Sequence, residues 1–272
     1  MINLEREIRK FKSGERLAFA YGIAGPAFAA SVIGMNKLPV SNEYYRLTLS
    51  ILIDASPWIY ITFLFAFLYG KWLSRNSNPI VWKALQAQID KLQKIAFPNH
   101  TNDVNDNHRV TLFKFTRSCN NKCAKRYKKR ITKNSGWLVP VIRSGHTGKE
   151  TKAKFFAPDA GIDAEGIVGM CWSSEYVQYQ DNLPNVSSAS GQRTKERYCR
   201  RSNMPIEMLD EYVKTGKKLA CSILAYPVLS RAGDRWGVIV FDSMVPNGVD
   251  QQHAELAFYT VAETLGVLVE GV

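Results

Sequence analysis

The chain has 272 residues, a formal net charge of +12 and 46% hydrophobic residues, enough for an anchor segment and one domain of about 200 residues but not for several. Its five cysteines, Cys119, Cys123, Cys171, Cys199 and Cys221, are odd in number and lack the spacing of a disulfide framework, which excludes that class and suits a reducing compartment. No G-x-x-x-x-G-K-[ST] loop, H-E-x-x-H helix or G-x-S-x-G elbow is present, so the sequence predicts no enzyme.

Two apolar runs open the chain, Leu17 to Met35 and Leu47 to Gly70, each long enough to cross a bilayer as a helix. They predict a transmembrane helical hairpin over residues 1–75. Small residues recur at helical spacing in the first run, Ala18 with Gly22 and Gly25 with Ala29, a pattern that lets helices approach closely. The single ionisable residue of the second run, Asp54, lies near its start and is either an interfacial carboxylate or a polar contact within an oligomer. Lys and Arg crowd the N-terminal segment and the stretch after Gly70 but are sparse in the intervening loop, which places both termini in the cytoplasm. A multi-pass inner-membrane protein, self-associating through its spans, is the expectation.

Residues 76–272 read as one cytoplasmic domain. Ile80 to Phe97 repeats apolar residues at helical spacing, and Val110 to Phe115 and Trp137 to Arg143 alternate as strands. Gly145 to Pro158 reads as loop, Ala164 to Ser174 as a short helix, Tyr176 to Tyr179 as a strand, and Asn182 to Gln192 as a mobile polar segment. A helix over Ile206 to Tyr212, a hairpin of Ala220 to Val228 with Trp236 to Phe241 about an Arg231–Asp234 turn, and a helix from Asp250 to Leu268 follow. The order predicts an α+β class, with helices packed on an antiparallel sheet.

The charge is concentrated. From Asn107 to Lys149 there are twelve basic residues and no acidic one. The densest part, an insert at about 117–133 between the first two strands, holds Arg117, Lys122, Lys125, Arg126, Lys128, Lys129 and Arg130. Such a block suits an anionic neighbour, either the acidic leaflet or a nucleic acid or nucleoprotein partner, or else it is a solvated face. Cys119 and Cys123 have no second cysteine pair to complete a zinc site, so no metal is expected. Ser222, His253 and Asp242 have the residue types of a nucleophilic triad, without a spacing that fixes their geometry.

The stretch GIDAEGIVGMCWSSEYVQYQDN resembles the middle of a GAF domain, and ACSILAYPVLSRAGDRWGVIVFDS resembles that family's final hairpin. The resemblance covers residues 79–272. It implies a GAF-like fold and a module that binds a small molecule, often nucleotide-like, or couples signals between partners. Arg143, Trp172, Tyr176, Tyr226 and Asp242 are then candidates to line the ligand site. The N-K-F-D-E set of the cyclic-nucleotide binders cannot be laid on this chain, so the resemblance names neither ligand nor cofactor. With no catalytic segment after the last helix, the hairpin itself is the expected output, as in a defence or toxin-like membrane effector. The rival expectation is an interaction module whose basic insert docks a nucleic acid or nucleoprotein that restrains the hairpin.

Overall fold

The computed structural model describes residues 4–35, 43–75, 79–100, 107–117, 135–145, 153–158, 163–216 and 218–271. Nearly all of the basic insert, including Lys122, Lys125, Arg126, Lys128, Lys129 and Arg130, therefore lies outside the described residues; Arg117 is described and exposed. The chain divides into two units, residues 3–82 and residues 83–271.

The first unit is built on two long helices, α1 (Leu4–Met35) and α2 (Glu43–Arg75), which run through Pro26 and Pro57 respectively. They pack antiparallel. Gly22 faces the Phe67 ring, Gly25 faces Phe63, and Gly70 sits against Gly14 and Ala18. Tyr21 and Phe28 close around Phe63 at 5.7 and 6.0 Å between ring centroids. Among the described residues only α2, over Ile53–Trp72, is long and apolar enough to cross a membrane. Of the two spans expected from sequence, the described residues support the second. Helix α1 begins on the charged segment that contains Arg6, Arg9 and Lys10 and continues into the first apolar run.

In the second unit α3 (Pro79–Ala96) leads to a short 3-10 turn at Pro98–His100 and then to six strands. These are β1 (His108–Thr116), β2 (Gly136–Arg143), β3 (Phe155–Ala157), β4 (Gln178–Gln180), β5 (Ser222–Leu229) and β6 (Arg235–Ser243). They form one antiparallel sheet in the order β3-β2-β1-β6-β5-β4. Between strands lie α4 (Gly166–Ser174), α5 (Gln192–Ser202) and α6 (Ile206–Lys214), and α7 (Gln251–Val269) follows β6.

Strand alternation assigns the two sheet faces. One carries Val110, Leu112, Leu224, Tyr226, Ile239 and Phe241, all buried. On this side α7 stacks Phe258 on Tyr226 at 4.5 Å, and α3 donates from Gln93 to the His108 carbonyl at 2.7 Å and from Gln86 to the Arg143 carbonyl at 3.1 Å. The spacing of Leu85, Ile89, Leu92 and Ala96 gives α3 its buried stripe. The opposite face packs Phe113, Leu138, Val238 and Val240 against Ile167 and Trp172 of α4. Leu183, Val186, Tyr198, Leu209, Val213 and Leu219 form a smaller core under α5 and α6.

Two elements differ from the sequence reading. Phe155–Ala157, read as loop, is an edge strand on β2, held by a reciprocal bond in which Glu165 N–H donates to the Phe156 carbonyl and Phe156 N–H donates to the Glu165 carboxylate. Helix α5 has no apolar periodicity and follows a polar segment read as mobile; two residues of that segment, Leu183 and Val186, are buried.

The closest backbone approach in the sheet is at Gly237, where an added Cβ would lie 2.0 Å from the Phe113 carbonyl oxygen. The neighbour is main chain in a central strand pair, so it cannot give way. Gly237→Ala is expected to cost about 2–3 kcal/mol, read as a lower denaturation midpoint of the domain at unchanged m-value.

Candidate functional site

The polar groups of the second sheet face gather where β1 begins and β6 ends. His108 through Lys114 run antiparallel to Ser243 through Gly237, which sets Arg109 directly across from Asp242. Arg109 donates through both Nε and Nη2 to Asp242 Oδ1. The two side chains are only 18% and 13% exposed, so this cross-strand ion pair is largely withdrawn from water. Thr111, two residues along β1 on the same face, is registered with Arg143 of β2, which brings a second guanidinium to the group.

Two tyrosines close the cluster from the helices above. Burial pushes the Tyr212 phenol of α6 up to about 12; Asp242 adds to the shift, and Arg109 and Arg143 oppose it. Tyr198 of α5 is fully buried near the same pair, donates to the Ala220 carbonyl at 3.1 Å, and is held far above the ordinary phenol range by its burial. The arrangement brings together two planar cations, a carboxylate and a phenol held neutral by burial. Such a set can recognise an anionic group through charge-assisted hydrogen bonds.

Of the five ligand candidates named from sequence, Arg143 and Asp242 meet in this cluster. Trp172 lies on the same face, but its ring is stacked on Phe115 at 4.3 Å and is capped by the Arg235 guanidinium at 5.1 Å. Tyr226 points to the opposite face, between Phe241 and Phe258. Tyr176 is 75% exposed in the turn before β4, away from the cluster. Arg109 and Tyr212 were missed. The signal for Arg109 was its place in an alternating strand that also carries Thr111 and Phe113, but its partner could be named only by pairing that strand with β6. In the other unit Gly25 is buried at the helix contact, Gly22 faces Phe67, and Asp54 is exposed beside the start of the apolar window.

The triad types are not brought together. Ser222 accepts from the Val249 N–H at 3.3 Å, and His253 pairs with Asp250 at 3.2 Å, where Asp250 caps α7. Burial raises the thiols of Cys171 to about 12 and Cys199 to about 11, and raises Cys221 as well, which keeps them protonated and weakly nucleophilic. Among the described residues no three His, Cys, Asp or Glu side chains converge on a metal position.

No family model matches the sequence, and no curated protein matches it. The α+β domain with its six-stranded antiparallel sheet resembles the GAF fold, and solved structures that match it include two GAF domains. One, from an Acinetobacter phosphoenolpyruvate-protein phosphotransferase, is 13% identical and covers 71% of this chain and 94% of its own, at a TM-score of 0.37. The other, from the Coxiella burnetii phosphotransferase, is 14% identical and covers 70% and 90%, at 0.35. A type II free methionine-R-sulfoxide reductase from Thermoplasma acidophilum is also similar, at 14% identity over 70% of this chain and 93% of that one, with a TM-score of 0.38. The site described above stands on this chain's own side chains.

Two outcomes check the cluster. Arg109→Ala leaves Asp242 as an unmatched buried charge and is expected to cost about 3 kcal/mol, whereas Arg109→Met with Asp242→Leu together should recover most of that loss; urea unfolding of the three variants reads it. Secondly, burial raises Cys171, Tyr212 and Tyr226 each to about 12 from 9.0, 10.0 and 10.0. A group raised on folding contributes stability that is complete below its unfolded value and is lost as pH climbs through its folded value. The domain should therefore weaken progressively between about pH 9 and pH 12, and ultraviolet titration should show the Tyr212 and Tyr226 phenolates forming only as pH nears about 12.

Proposed function

We propose that this protein is a membrane-anchored, non-enzymatic sensor. Its GAF-like domain receives an anionic, nucleotide-like small molecule at the Arg109–Asp242–Arg143–Tyr212 cluster, and its output is a change in the bilayer carried by α1 and α2. The observation that carries the reading is the inverted burial of those two helices. Wherever their burial is described, the buried residues are Gly14, Ala18, Gly25 and Gly70, all glycine or alanine. Several large side chains face outward, with Phe19 73% exposed, Trp58 72% and Phe65 68%, while Tyr21, Phe28, Phe63 and Phe67 are half-buried at the contact. A water-soluble helix pair buries its bulky residues, whereas helices in lipid pack through small ones and turn bulk toward the acyl chains.

Three further features support it. The window Ile53–Trp72 has 20 residues, which at 1.5 Å per residue matches a hydrocarbon layer of about 30 Å. The hydroxyls of Ser31, Ser56 and Thr62 each donate to a carbonyl of their own helix, as a medium without water requires. The antiparallel contact of Gly70 with Gly14 and Ala18 also gathers exposed Lys12, Arg16 and Lys71 at one end of the pair, the end that the positive-inside rule assigns to the cytoplasm.

The test has a membrane arm and a ligand arm. The full chain is expected to stay with membranes through an alkaline carbonate wash, with a tag in the 36–42 connection labelled from outside intact cells and a tag after Val272 protected. Extraction by carbonate, or outside labelling of the Val272 tag, would overturn the anchor. In detergent, at least one of a panel of nucleoside mono-, di- and cyclic phosphates should raise the Tm of the chain by several degrees, and Arg143→Gln should abolish the rise. A flat response across the panel overturns the ligand assignment.

A further inference from the structure

Helix α5 carries a row of charge that the fold does not use. Of its basic residues, Lys195 is engaged with Asp210 at 2.8 Å, and Arg201 donates to the carbonyls of Asn182 and Asp181 at 2.7 and 2.9 Å. The one acidic residue, Glu196, accepts from Gln192 at 3.0 Å. Arg193, Arg197 and Arg200 are exposed and make no side-chain hydrogen bond or ion pair among the described residues. At positions i, i+4 and i+7 they share one helix face, as a row about 10 Å long.

Helix stability accounts for Arg200, a cation in the last turn four residues after Glu196, but not for Arg193 and Arg197 together. Arg193 stands in the first turn, where a cation opposes the positive end of the helix dipole. Arg193 and Arg197 are also a like-charge pair at i, i+4, which is itself unfavourable. An external anion would relieve both. Through Arg201 the end of α5 is hydrogen-bonded to the residues just after β4, and the residues just before β4, Tyr176 and Val177, are 75% and 41% exposed.

We propose that the α5 row docks on an anionic lipid leaflet. This rests on the reading of α1 and α2 as lipid-embedded. All three residues are arginine, whose planar fork matches phosphate oxygens. A tether in the same membrane raises the effective concentration of the domain at the surface, so a row of three cations is enough to hold it there.

The test is hydrogen exchange over residues 190–203 of the full chain, reconstituted in phosphatidylcholine vesicles and in vesicles with about 30% phosphatidylserine. Exchange should be at least about threefold slower with phosphatidylserine, and the difference should vanish at about 0.5 M salt. It should also vanish in R193Q/R197Q/R200Q, whose thermal unfolding should match the parent because all three side chains are exposed. Equal exchange in the two vesicle types overturns the proposal, as does protection by added duplex RNA with no phosphatidylserine effect. Flotation separates the two readings: a chain that floats only with phosphatidylserine vesicles would keep the arginine row and overturn the embedded helices.

Discussion

The domain depends on β1 finding β6. These are the two central strands, and the ion pair that joins them links residues 133 apart in sequence. Closing a loop of that length costs about 4 kcal/mol of chain entropy beyond a fixed constant. The return is a long register from His108–Ser243 to Lys114–Gly237, with apolar residues on both faces. The same pairing makes the candidate site, because it alone sets Arg109 against Asp242. A slip of one strand by one residue would put Arg109 and Asp242 on opposite faces, so site and fold are specified by one alignment.

Most of the architecture was legible in the residues because it rests on periodicity. The α3 stripe, the β5–β6 hairpin and the helix after it announce themselves by apolar spacing and by the turn around Gly233. What was not legible lacked that signal. Phe155–Ala157 is too short to alternate, and it is a strand only because Glu165 and β2 supply its hydrogen bonds. Helix α5 has a polar outer surface and is held by Tyr198, a single deeply buried ring, together with Lys195 and Arg201, whose partners are distant in sequence. The site was half legible for the same reason: Arg143 and Asp242 could be chosen by strand position, but Tyr226 and Tyr212 change places once the sheet faces are known. Of the two spans read from sequence, the second stands out as an apolar window among the described residues, and its partner helix is rich in glycine and alanine.

The two units obey opposite rules of burial. In the domain, leucine, isoleucine and aromatic side chains fill the interior, and arginines are either matched, as Arg109 is, or turned outward, as on α5. In the α1–α2 pair the fully buried positions are glycine and alanine, aromatic rings such as Phe63 and Phe67 are half-buried at the contact, and much of the remaining bulk lies outside. A single solvent does not favour both arrangements equally, and the proposed anchor rests on that contrast.

The inverted helix pair also sets how this chain can vary over generations. Its outward positions, such as Phe19 and Phe65, make few demands beyond being apolar, so exchanges among phenylalanine, leucine and isoleucine there should drift freely. At Gly70 even one added methyl would fall 2.7 Å from the Ala18 amide nitrogen. The positions with the smallest side chains therefore carry the strongest constraint, and a lineage would keep its glycines while its aromatic residues turn over.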